Sequence, residues 1–116
     1  MTARDRLYLE HILDSIRRIE EYTRHGRETF FAETLIQDAV VRNLQLIGES
    51  AKRLSPTLKA SATGVPWKSI AGLRNVLVHD YLGVDLERVW NIVDSDLRAV
   101  RDAVETVLSL PPTGPD

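Results

Sequence analysis

The sequence predicts an all-α protein, an antiparallel bundle of four main helices with short connecting turns, and three observations carry that prediction. Apolar residues recur three and four apart through most of the chain. No segment sustains a period-two alternation bounded by turns. The apolar stripes are broken at glycine, proline and serine.

Leu9, Ile12, Ile16 and Ile19 form the first stripe, with His25-Gly26 as its stop. Ile36, Val40, Leu44, Ile47, Ala51 and Leu54 form the second, ended by Ser55-Pro56. A short loop with Gly64 leads to Pro66, a residue suited to the first turn of a third helix running to about His79. Asp85 is the expected N-cap of the last helix, with Val84 and Val89 placed as a hydrophobic staple. Leu86, Val89, Val93, Leu97, Val100, Val104 and Leu108 then hold one stripe until Pro111-Pro112. Residues 1–110 are thus expected to form one helical-bundle domain, and 111–116 a disordered tail.

Composition narrows the function. The 116 residues are 43% hydrophobic and 28% charged and contain no cysteine, which excludes a disulfide framework, a thiolate metal site and a cysteine nucleophile. The first residues, MTARDRLYLEHILDSIRR, interleave charges with apolar residues and match neither a signal peptide nor a membrane span, so a cytoplasmic protein is expected. The formal net charge of −2 conceals an uneven distribution. Between Arg42 and His79 six basic residues face the single acid Glu49, whereas from Asp80 onward eight acids face three arginines. The middle of the chain could face phosphate; alternatively both charge runs are solvated helix faces.

The segment least like bundle filler is Arg74-Asn75-Val76-Leu77-Val78-His79-Asp80-Tyr81. On a regular helix, at about 100° per residue, Asn75 and His79 are neighbours at i, i+4, and Tyr81 falls within about 20° of Arg74. RNA carries its own nucleophile, the ribose 2′-hydroxyl, so cutting it needs only proton transfer and a cation for the crowded phosphorane. Histidine titrates near neutrality, and arginine grips two phosphate oxygens at once; no metal or other cofactor is required. The competing reading has Arg74 and His79 capping the negative end of the third helix, with the tyrosine packed over the turn.

The run R-N-x-x-x-H-x-Y resembles the signature of the HEPN superfamily of helical ribonucleases. Gln37-Asp38-Ala39-Val40, Ile47-Gly48-Glu49-Ser50-Ala51-Lys52, Val65-Pro66-Trp67 and Val84-Asp85-Leu86-Glu87-Arg88-Val89-Trp90 resemble stretches of its HepT-like branch, in the same order, across residues 4–108. The resemblance implies a metal-independent endoribonuclease toxin of a type VII-like toxin–antitoxin module, with Arg74 and His79 as catalytic pair and Asn75 as the polar residue after the arginine. It implies a homodimer whose two motifs face one cleft, and a nucleotidyltransferase antitoxin, MntA-like, that AMPylates Tyr81. Transfer RNA and messenger RNA both remain open as substrates. The alternative is a catalytically idle module that binds the nucleotidyltransferase and serves as AMP acceptor.

Other residues weigh less. Glu49 shares a helix face with Arg42 and Arg53 and either orients Arg74 or His79 or pairs with Arg53 at i+4. Gly48 permits close approach of another helix. His11 and His25 lack partners at metal-ligand spacing, although His11 has Asp14 and Ser15 in reach. Trp67 and Trp90 read as core or dimer anchors, and nothing resembles an aromatic platform for stacking bases.

Overall fold

The computed structural model describes residues 1–75 and 85–110, and these are helical without a strand. Helix α1 (Ala3–Tyr22) starts at Thr2, whose hydroxyl accepts the Asp5 N–H at 2.9 Å, and buries Leu9, Ile12, Ile16 and Ile19 completely. Each such side chain removed from water stabilises the fold by roughly 1.5–3 kcal/mol. The stop comes three residues before the predicted His25. The Thr23 hydroxyl donates to the Ile19 carbonyl at 2.8 Å, and Gly26 makes the bend at φ 90°, a left-handed conformation that favours glycine.

Gly26 also precedes a short helix the apolar pattern does not signal, α2 (Arg27–Ala32), which buries Phe30. Helix α3 (Thr34–Lys52) follows as predicted, with Val40, Leu44, Ile47 and Ala51 fully buried. Leu54 is buried just past its end.

The pair Ser55-Pro56 does more than stop α3. Ser55 caps a new helix, α4 (Pro56–Ser61), by accepting the Leu58 N–H at 3.1 Å, and Pro56 occupies its first turn, where no N–H is needed. A loop then leads to α5 (Trp67–Ala71), which tightens into a 3₁₀ turn, Gly72–Arg74. The predicted third helix to His79 is therefore five residues of α-helix and one tight turn as far as Asn75; its remainder lies outside the described residues. Trp67 is a core residue, its indole N–H donating to the Ala62 carbonyl at 3.0 Å.

The last segment is helical as predicted but not in unbroken register. Asp85 caps α6 (Leu86–Asn91) by accepting the Arg88 N–H at 3.1 Å. A π-helical turn, Ile92–Asp96, then leads directly into α7 (Leu97–Leu108). Its wider turn inserts one residue, so Ile92 and Leu97, five apart, are both buried, and Val107 is more deeply placed than the expected Leu108. Val84, half of the expected staple, and the tail from 111 lie outside the described residues. Trp90 packs its ring 5.4 Å from that of Phe30, tying α6 to α2.

The long rods are α1, α3 and the α6–α7 composite. Arg6 donates to the Leu108 carbonyl at 3.2 Å while Arg101 pairs with Glu20 at 2.6 Å, so α1 and α7 run antiparallel. Asp5 joins the start of α1 to Ser55, the cap of α4, three residues past the end of α3. Its carboxylate accepts the Ser55 N–H at 2.8 Å and the Ser55 hydroxyl at 2.7 Å. Among the described residues no helix is long and apolar enough to cross a membrane.

Candidate active site

The site is built where α5 crosses α3, and a glycine sets the distance. A Cβ added to Gly48 would lie 2.5 Å from the backbone nitrogen of Arg74 and 2.9 Å from the carbonyl oxygen of Ala71. Only the bare α-carbon lets the 3₁₀ turn seat directly on α3. The close approach expected at Gly48 is thus present, and it positions Arg74 by its backbone rather than by a flexible tether.

With the turn seated, Arg74 joins Glu49, Lys52 and Arg53 of α3 around an open pocket of about 300 Å³. All four side chains belong to exposed residues. Among the described residues none of the four has an ion-pair partner, and the i, i+4 pair considered for Glu49 and Arg53 is not formed. Among the described residues, three cations and one carboxylate give the pocket a net positive field, suited to an anion. The Arg74 guanidinium makes no hydrogen bond to the α5 carbonyls among the described residues; the helix end near His79 that the capping alternative invoked lies outside them.

Asn75 ends the 3₁₀ turn, its N–H donating to the Gly72 carbonyl at 3.0 Å. It is exposed and does not line the pocket. The tight turn also alters the angular relations expected on a regular helix, because a 3₁₀ helix advances about 120° per residue. His79 and Tyr81 lie outside the described residues. The structure therefore brings Glu49 and Arg74 together and places Asn75 beside them.

Two residues went unnoticed in the sequence as members of this region. Lys52 lines the pocket, signalled only by its place beside Arg53 in the basic stretch. Tyr8 of α1 is half-buried, with the Arg4 guanidinium 5.7 Å from its ring centroid. Hydrogen bonding from Arg4 holds the Tyr8 phenol below its ordinary value against the opposing effect of burial, and Arg53 adds a smaller pull from α3. His11 is exposed and meets Tyr8 edge-on at 6.0 Å, while its neighbour Asp14 pairs with Arg17 at 3.4 Å.

Fold and pocket together define an all-helical protein that presents an arginine-centred cationic hollow to solvent. The sequence profile of the ribonuclease HepT-like family matches residues 12–107, and the chain belongs to that family. It is 38% identical over 104 residues to a Methanocaldococcus jannaschii protein whose name joins a gamma-glutamylcyclotransferase to a proposed RNase; the match covers 89% of this chain but only 47% of that relative. A second protein of the same organism, also named for a proposed RNase, is 35% identical over 109 residues, covering 92% of this chain and all of the relative. A Thermococcus cleftensis protein named as a probable ribonuclease HepT is 36% identical over 99 residues, covering 84% of this chain and 90% of its own. No solved structure matches the chain at a significant level.

Proposed function

We propose that the chain is a metal-independent endoribonuclease, the toxin of a toxin–antitoxin pair, that cuts RNA with Arg74 and His79. The observation that carries this reading is the seating of Arg74 on Gly48, at the rim of a cationic pocket and five residues before the motif histidine. The scissile phosphate binds over Arg74. Its 2′-oxygen bonds to phosphorus as the P–O5′ bond breaks, leaving a 2′,3′-cyclic phosphate and a 5′-hydroxyl. His79 moves a proton in this step, as base to the 2′-hydroxyl or as acid to the departing oxygen. Arg74 meets the charge that builds on the phosphorane oxygens, and Asn75 offers an amide beside it. Glu49, the one acid of the pocket among the described residues, orients the arginine or the histidine.

Residues 1–110 are taken as the functional domain, a four-helix bundle. Two copies face their motifs into one cleft, and a nucleotidyltransferase antitoxin silences the site by adding AMP to Tyr81, placing bulk and negative charge where the RNA phosphate must sit. The family membership supports the ribonuclease; the toxin pairing rests on the H-x-Y element of the sequence. Purified protein should cleave RNA in excess EDTA, and His79→Ala should lower the rate by about 10²–10⁴-fold while its circular dichroism spectrum is preserved. A variant that cleaves as fast as the parent would end the assignment. Incubation with the nucleotidyltransferase and ATP should add AMP to the parent and none to Tyr81→Phe.

A further inference from the structure

The Asp5–Ser55 hydrogen bonds, at 2.7 and 2.8 Å, hold the first turn of α1 beside the end of α3. That clasp gathers cations from two helices. Arg4 lies against Tyr8 on α1, its guanidinium carbon 5.7 Å from the ring centroid, and Arg53, at the end of α3, is near enough to act on the same phenol through its charge. Arg53 is also a wall of the Arg74 pocket, so the two groups share a member.

Of the other arginines, five are neutralised and four, Arg18, Arg42, Arg88 and Arg98, have no carboxylate within 4 Å among the described residues. Arg6, Arg17, Arg24, Arg27 and Arg101 each have a carboxylate within 4 Å. Arg4, Lys52, Arg53 and Arg74 have none among the described residues. Cations held close without counter-charge repel one another until an anion arrives, and the guanidinium fork matches two oxygens of a phosphate. The Tyr8 hydroxyl is a further donor between the two forks.

We propose that Arg4, Tyr8 and Arg53 form a second phosphate-binding subsite, which holds a neighbouring phosphate of single-stranded RNA while the scissile one occupies the Arg74 pocket. The inference rests on the ribonuclease reading and adds to it a direction, from the pocket across Arg53 toward the start of α1. An RNA strand fits better than an acidic protein because it carries one phosphate per nucleotide on a continuous backbone, so one strand spans both groups. Tyr8 acts through its hydroxyl: one region of its ring is met by Arg4 and another by the edge of His11, so it is not a free base-stacking face.

The test separates binding from cleavage. Full-length His79→Ala protein, which should leave RNA intact, is titrated into a fluorescently labelled single-stranded RNA and followed by anisotropy over a range of salt. Adding Arg53→Gln or Arg4→Gln should weaken Kd by about 3- to 10-fold and reduce the slope of log K against log salt by about 0.7 each. Tyr8→Phe should weaken it less, about 2-fold, and Arg53→Lys should restore the salt slope but only part of the affinity, because an ammonium is a point charge without the two-pronged grip. Arg98→Gln removes the same charge from an exposed position on α7 and should leave Kd unchanged. If Arg98→Gln weakens binding as much as Arg53→Gln, attraction is diffuse and the subsite is wrong. If the Arg4 and Arg53 variants bind RNA like the parent, it is also wrong, and the cluster belongs to a protein partner or to plain surface. A histidine-intact protein that binds RNA without cutting it removes the ribonuclease reading and leaves the subsite standing.

Discussion

Asp5 is 2% exposed and charged, a combination that nothing in its sequence neighbourhood announces. An acid in the first turn of a helix ordinarily faces water, and only the fold reveals Ser55 waiting fifty positions away. Burial, the largest single influence on its carboxyl, pushes the pKa upward, but the hydrogen bonds of Ser55 and Thr2 together outweigh it and hold it below the ordinary value. The folded state thus favours the ionised form. Its stabilising effect is present above the unfolded value of about 3.9 and is lost as pH falls through the lower folded value. Asp5→Asn, which keeps the size and loses the charge, should cost about 1.5–3 kcal/mol in urea unfolding near pH 7. The gap between parent and variant should narrow as the pH falls below about 4. A gap that stays constant with pH would mean that the carboxylate charge is irrelevant. By contrast, Arg74 and Gly48 could be singled out from sequence, because their value lies in residue type: a permanent cation, and the absence of a side chain.

At the scale of the element, spacing located the long helices and missed what depends on distant contacts or on one extra residue. Helix α2 is too short for a periodic signature, and it exists because Phe30 has a core to enter and Trp90 to rest on. In the sequence Ser55-Pro56 reads only as the stop of α3 before a loop, although the residues that stop one helix also cap the next, α4. The π-turn was not legible, because Val89, Val93 and Leu97 satisfy an unbroken stripe as well as Val89, Ile92 and Leu97 satisfy a widened one. Deleting the exposed Ser95 should turn the π-turn into ordinary helix while α7 keeps its buried face, with a change in thermal midpoint of only a few degrees. Deleting Ala99, inside regular helix, rotates the remainder by about 100° and should abolish cooperative unfolding. Equal effects of the two deletions would contradict the register described for this helix.

The crossing of α5 on α3 gives an element-scale prediction for the site. Gly48→Ala drives a methyl group into backbone atoms of Ala71 and Arg74, which cannot swing aside as a side-chain tip could. It should cost about 1–3 kcal/mol of stability. By displacing Arg74 it should lower RNA cleavage further than that loss explains, by up to about a hundredfold at a temperature where the variant is still folded. Cleavage at the parental rate by such a variant would separate the arginine's position from the chemistry.

Taken whole, the molecule measures 47 × 29 × 20 Å, so its thinnest dimension is about two helix diameters. A slab so thin has core between its rods and little room for a deep pocket, which is why the cationic hollow is open and shallow. The all-α class and the order of the long helices followed from composition and spacing, whereas the sharing of Arg53 between two groups needed three dimensions. In the proposed assembly a second copy faces its motif across the same cleft. Light scattering should give the mass of two chains, and a single-chain mass at concentrations where cleavage proceeds would remove the shared cleft.

The glycine seat has one more consequence, for the choice of substrate. Because Arg74 is fixed to α3 through its backbone, the distance from its anchor to that of Arg53 cannot open or close without moving the turn. The anchors are fixed, and in the proposed complex the long side chains and the nucleic acid take up the remaining adjustment. A single strand can adjust its backbone torsions until two phosphates register with the two grips, while a duplex holds its phosphates at a spacing of its own. On a hairpin RNA the cuts should therefore fall in the loop and spare the stem.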